Sequence, residues 1–155
     1  MVSQAASNRR SQGRKEREQV KRTLRGQLTS GETRRILIDD GDFTHGFIVR
    51  ALEISPVNPL DETNSAATSA ILHIAATPQS EFDWGSPVQV AWATYNTNPV
   101  NTLTVIDPDH VVVQELYITN LNATNPLNYM IHIEDKMLGP ARAVLQMVKE
   151  VTYND

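Results

Sequence analysis

The sequence predicts an all-β fold: a compact antiparallel β-sandwich, jelly-roll-like, with about seven strands. Two observations carry this reading. From residue 33 onward, short runs rich in β-branched and aromatic residues recur, each bounded by Pro, Gly, Asn or Asp. No long helical period lies between them, which argues against parallel βαβ winding. The chain of 155 residues then divides into a basic arm over 1–32, partly helical and ordered by a partner, and a sandwich domain over 33–155. Some 120 residues are enough for one core.

Taken in order, residues 1–12 are polar and match a disordered segment. "RKEREQVKRTLR" (14–25) reads as a short helix, with Glu18 four residues from both Arg14 and Arg22 and Gly26 as its stop. Its apolar stripe is narrow, Val20, Leu24 and then Leu28. A helix this short is marginal alone, so these three residues are expected to anchor the arm on a partner surface.

The strands are "TRRILI" (33–38), "FTHGFIVRALEIS" (43–55), "SAILHIAAT" (69–77), "PVQVAWATY" (87–95), "NTLTVI" (101–106), "HVVVQELYIT" (110–119) and "LNYMIHIED" (127–135). Several are apolar on both faces. Val111, Val113 and Tyr117 alternate with Val112, Leu116 and Ile118, and Tyr129, Ile131 and Ile133 alternate with Met130 and His132. A two-layer sandwich buries one face per strand, so the second face must meet the terminal helix or a neighbouring subunit. Tyr117, Tyr129, Met130 and His132 are therefore candidate interface residues, together with Trp84; Trp92 is expected in the core. "NTNPVN" (96–101), "NATNPLN" (122–128) and the "NPL" at 58–60 share turn chemistry, which would gather several loops at one end.

"GPARAVLQMVKEV" (139–151) predicts a short C-terminal helix over 140–151, opened by Pro140. Val144, Leu145, Val148 and Val151 form one stripe. The stripe is expected to pack on the sandwich; a subunit contact is the alternative.

Charge is distributed unevenly. The net charge is −4, but residues 1–35 carry ten basic residues against three acids, whereas residues 36–155 carry four against fifteen. Arg9, Arg10, Arg14, Lys15, Arg17, Lys21, Arg22 and Arg25 are the candidate electrostatic contacts to a partner subunit or to nucleic acid. Such a density suffices for a salt-dependent phosphate contact. No aromatic interleaving or helix-turn-helix pattern accompanies it that would read bases. A +7 arm on a −11 body equally suits the acidic face of the next identical subunit, a head-to-tail contact of the kind that builds rings and shells.

Nothing in the sequence makes a positive case for an enzyme, and no cofactor is implied. No nucleophile elbow, P-loop, dinucleotide fingerprint or zinc-protease motif occurs. The chain has no cysteine, hence no thiolate nucleophile and no Cys-based zinc site. No apolar run approaches the length of a membrane helix. Asp39, Asp42 and His45 form the candidate metal set, since hard cations take carboxylate oxygens and a histidine suits a transition metal; the stretch also reads as an Asp-Gly hairpin turn. "DPDH" (107–110) is a possible acid–base dyad and, more simply, a turn. His73 and His132 lie mid-strand, where a packed or interface role is the simpler expectation.

The basic arm, the β-sandwich with Asn/Pro/Thr-rich loops, and the absence of cysteine together resemble small viral shell proteins. "DDGDFTHGFIVRALEI" (39–54), "IDPDHVVVQELYI" (106–118) and "NYMIHIED" (128–135) look like structural proteins of marine bacteriophages. The resemblance spans roughly residues 33–150 and implies a virion component, either capsid, decoration or minor capsid, or connector subunit. It implies assembly in the host cytoplasm with copies of itself and other virion proteins, and the packaged nucleic acid as a further partner of the arm. A nucleic-acid-packaging protein and a small ligand- or metal-binding β-domain are the alternatives.

Overall fold

The structure is a computed structural model that describes residues 20–38, 45–58, 67–97 and 100–154. Nine strands and one helix lie among them: β1 (Lys21–Leu28), β2 (Thr33–Leu37), β3 (His45–Pro56), β4 (Thr68–His73), β5 (Gln89–Thr97), β6 (Val100–Ile106), β7 (Val111–Val112), β8 (Glu115–Asn120), β9 (Leu127–Met137) and α1 (Pro140–Asn154). They form two antiparallel sheets, β1-β9-β3-β7 and β2-β8-β4-β5-β6.

The pairing is nested. β1 pairs with β9, β2 with β8, β3 with β7 and β4 with β5. The first four strands thus form one arm of a long hairpin and the later strands its return. Rolling that hairpin up brings β9 against β3 and β8 against β4. This is the double-sheet jelly roll, with β6 added at the edge beside β5. Six of the seven expected runs appear as single strands.

The seventh run, 110–119, breaks into β7 and β8. The chain crosses from one sheet to the other at Val113–Gln114. Both halves are apolar for that reason. Val112, Leu116 and Ile118 join the main core, whereas Val111 and Val113 join a second cluster with Ile48 and Leu138.

The expected helix over 14–25 is corrected: residues 21–25 belong to β1, and residues 14–19 lie outside the described residues. The expected arm boundary at 32 moves with it, because β1 is an integral strand of the first sheet. Val20, Leu24 and Leu28 are spaced by four, a spacing that falls on one face of a helix and equally on one face of a strand. β9 offers a full ladder of backbone partners, and a short solvated helix cannot match it. Gly26, read as a helix stop, stands opposite Tyr129. A Cβ there would lie 2.8 Å from the Tyr129 hydroxyl. The glycine makes room for a core tyrosine.

The core lies between the sheets. β9 sends Leu127, Tyr129, Ile131 and Ile133 inward, and β4 sends Ala70 and Leu72. At one end of the sandwich the β8–β9 loop closes on the β1–β2 turn. Asn120 donates to Thr29 O and Asn125 O at 3.0 Å each, and Gly31 N donates to Asn122 O at 2.9 Å. Asn58 and Pro126 line one depression at that end, so two of the three Asn-Pro turns do converge; residues 98 and 99 lie outside the described residues.

Candidate functional site

The charged arm divides at residue 20. Arg9, Arg10, Arg14, Lys15 and Arg17 lie outside the described residues. Lys21 and Arg25 project from the outer face of β1 and are exposed, whereas Arg22 turns toward the body. Its guanidinium donates to Ile38 O at 3.3 Å and sits 5.6 Å over the Phe47 ring, a cation–π contact. Arg22 is therefore a structural cation of the sandwich and not an arm contact. Leu24 and Leu28 anchor β1 to its own core, and Val20 is exposed.

Lys21 and Arg25 do not stand alone. β9 places His132 opposite Thr23, with the ring Nδ1 3.2 Å from the Thr23 hydroxyl, and Met130 opposite Arg25. In β3 a bulge between Val49 and Ala51 carries Arg50 outward. Its Nε donates to Glu134 at 2.8 Å. These residues rim a depression of about 250 Å³ lined by Lys21, Arg22, Thr23, Arg50, His132, Ile133 and Glu134. Sequence reading found Lys21 and His132 but missed Arg50, since a bulge in the middle of an apolar run leaves no composition signal.

Of the other candidate interface residues, Tyr129 is a core residue, only 7% exposed, which overturns its assignment. Tyr117 faces outward from β8 yet is buried, stacked on His73 at 5.8 Å between ring centroids, with its hydroxyl donating to Glu115 at 2.5 Å. Glu115 also pairs with Arg35. Burial works to raise the Glu115 pKa, but the Arg35 and Tyr117 hydrogen bonds hold it below the usual value. Trp84 is exposed but leans on buried Trp92, at 6.1 Å between rings. The segment that carries Trp84 folds back over the outer face of the second sheet. The buried Gln89 amide holds it, donating to Gln79 and to Glu81 O and accepting from Asp83 N. The outer apolar face at Trp92 is thus covered by the chain's own β4–β5 connection, while Trp84 stays exposed.

The helix docks in an inverted sense. Gln146 donates to Val111 O at 2.9 Å. Buried Glu150 accepts from Val113 N at 2.8 Å and Gln114 N at 3.1 Å. Asn154 accepts from Ala76 N at 2.5 Å and donates to Ile74 O at 3.1 Å. These three polar residues, spaced by four, occupy the docked face with Met147, which packs on the cluster of Ile48, Val111, Val113 and Leu138. Val144, Leu145, Val148 and Val151 are 50–59% exposed. The expectation that this stripe packs on the sandwich is thus overturned. The reason is the sheet crossing: two backbone N–H groups at Val113–Gln114 need acceptors, and a carboxylate satisfies both, which no aliphatic side chain can do.

The metal reading rests on less. Asp39 and Asp42 lie outside the described residues. His45 is buried with Nδ1 3.0 Å from both Asp135 oxygens. Among the described residues no group of three or more His, Cys, Asp or Glu could hold a metal ion. Asp107 accepts from Asp109 N at 3.0 Å and lies 4.0 Å from His110, a turn arrangement in which burial lowers the His110 pKa against the opposing Asp107 charge. His73 is fully buried, 2.7 Å from the Thr119 hydroxyl, and burial pushes its pKa down to about 4 against a smaller opposing backbone contact at Ala75. It is a packed core histidine.

Among the described residues no helix is long and apolar enough to cross a membrane. Comparison with known protein families, with curated proteins and with solved structures finds no match.

Proposed function

We propose that the chain is a non-enzymatic structural subunit of a virion, in a capsid, decoration or connector position, which assembles with copies of itself and with other virion proteins in the host cytoplasm. One observation carries the reading: a jelly roll whose edge strand β1 continues directly from a polybasic segment. Jelly rolls serve viral capsids, and also lectins and cupins, so the fold by itself names no function. The segment before β1, residues 1–19, carries five basic residues against two acids, and residues 20–155 carry nine against sixteen; this opposition supports the shell reading, because copies can join head to tail through opposite charges.

The test is light scattering with negative-stain imaging on the full chain and on a chain lacking residues 1–19. The cut must stop there, because β1 begins at Lys21. Rings, shells or defined oligomers that vanish with the segment support the proposal. Monomers in both forms, alone and with their virion partners, refute it.

A second reading, packaging of nucleic acid, is favoured by the exposed Lys21, Arg25 and Arg50 on the outer face of the first sheet. Its test is the salt dependence of affinity for single- and double-stranded DNA, with log K expected to fall by roughly 0.7–0.9 per phosphate contacted for each unit of log[salt]. A flat response removes this reading.

A further inference from the structure

We infer that α1 is a self-association element, in which the stripe of Val144, Leu145, Val148 and Val151 packs against the same stripe of a second copy, antiparallel about a two-fold axis near Val148. The inference does not rest on the virion reading and stands or falls by itself.

Two observations lead to it. The first is that α1 is held to its own subunit by the other face. Gln146, Glu150 and Asn154 hydrogen-bond to Val111, Val113, Gln114, Ile74 and Ala76, and Met147 fills the apolar cluster. The exposed stripe is surplus to that docking. Four aliphatic residues within eight positions, each at least half exposed, form a contiguous patch of the kind that marks an interaction surface.

The second observation selects the occupant. The first turn of α1 holds no acid, and its last turn holds no basic residue. Instead Arg142 sits exposed in the first turn, beside the positive end of its own helix dipole. An antiparallel copy corrects both ends at once. About a two-fold at Val148, Arg142 falls level with residue 154 of the other helix, at the negative end of that helix, whose last turn carries no basic residue. A parallel pairing would leave both ends as they are. Glu150, the only acid within 140–154, is turned inward and away from the stripe.

A helix of 15 residues is about 22 Å long. A stripe on it covers less than the roughly 800 Å² per partner of a standard interface. The contact alone is therefore weak and concentration-dependent, and it gains strength only where other contacts hold copies together.

The chain has no cysteine, which makes single-cysteine cross-linking unambiguous. The full chain is prepared as Val148→Cys, Val144→Cys and Val151→Cys and oxidised at high protein concentration. At about 1.5 Å rise per residue, the two copies of residue 148 meet on the axis, those of 144 stand about 12 Å apart and those of 151 about 9 Å apart along it. A disulfide spans Cα separations of up to roughly 7 Å. Val148→Cys is therefore expected to link to itself. Val144→Cys and Val151→Cys are expected to link poorly alone and well when mixed. Leu145→Glu in the Val148→Cys background should weaken association roughly 10- to 100-fold while the thermal melt stays in place, because Leu145 is exposed. Failure of Val148→Cys to link overturns the inference. So does equal self-linking at all three positions, or linking indifferent to Leu145→Glu. If linking appears only after residues 1–19 are removed, the stripe belongs to the chain's own N-terminal segment, and the self-association model is wrong.

Discussion

Replacing Glu150 by Ala should loosen the joint between the helix and the sandwich. The carboxylate is 3% exposed and accepts from Val113 N at 2.8 Å and Gln114 N at 3.1 Å through separate oxygens. Each hydrogen bond to a charged group contributes about 1.5–3 kcal/mol. Two would total roughly 3–6 kcal/mol; water entering the vacated site and re-solvating the two N–H groups recovers part of this, leaving an expected loss of about 2–4 kcal/mol. Glu150→Gln should be milder, since the amide oxygen keeps one acceptor but its NH₂ faces the other N–H. The assay is urea unfolding with amide exchange read residue by residue. Stability should fall in the order wild type, Gln, Ala, and exchange should accelerate first at Val113, Gln114 and along α1, before β4 or β9. A loss below about 0.5 kcal/mol, the level of an ordinary surface change, with Val113 still protected, would refute the view that this carboxylate holds the crossing.

The remaining expectations concern the core, the pH response and the N-terminal cut. Gly46→Ala puts a Cβ against Val111, Leu138 and the Val112 carbonyl; overpacking of this kind costs about 1–3 kcal/mol, read as a lower urea midpoint at constant m. His73 carries a folded pKa of about 4 against roughly 6.5 when unfolded, so protonation favours the unfolded chain. Its stabilising contribution is complete above about pH 6.5 and is lost progressively as pH falls toward 4, and His73→Gln should flatten that part of the melting-temperature profile. A chain lacking residues 1–19 should keep its melting temperature, whereas one lacking 1–30 loses β1, bares the β9 edge and aggregates; equal solubility of the two would contradict the place of β1 in the sheet. Neutralising Lys21, Arg25 and Arg50 together should reduce the salt slope of DNA binding by about three contacts' worth, and an unchanged slope would clear that face of any phosphate role.

Much of the architecture was legible in the chain. Period-two apolar runs closed by Asn, Asp, Pro and Gly marked the strands from residue 33 onward, and Pro140 with the heptad-like stripe marked the helix. These signals are local: alternation and turn chemistry act within a few residues of one another. The charge asymmetry was equally plain, because it is composition alone.

What the chain could not declare is which partner each face meets. Val20, Leu24 and Leu28 satisfy the helical and the extended period alike, and only the free edge of β9, about a hundred residues away, decides for a strand. Residues 110–119 read as one apolar strand until the crossing at Val113–Gln114 divides them between two sheets. That crossing leaves two backbone donors wanting an acceptor, and this turns α1 over, so that Glu150 faces in and the valines face out. Tyr129 and Tyr117 carry the same local pattern, yet one fills the core beneath Gly26 and the other lies buried beside His73. The sequence by itself determined the strands, the helix and where the charge lies. The tertiary structure decided β1, the burial of the outer faces and the helix orientation, because those depend on unpaired backbone groups and apolar surfaces brought together from distant segments.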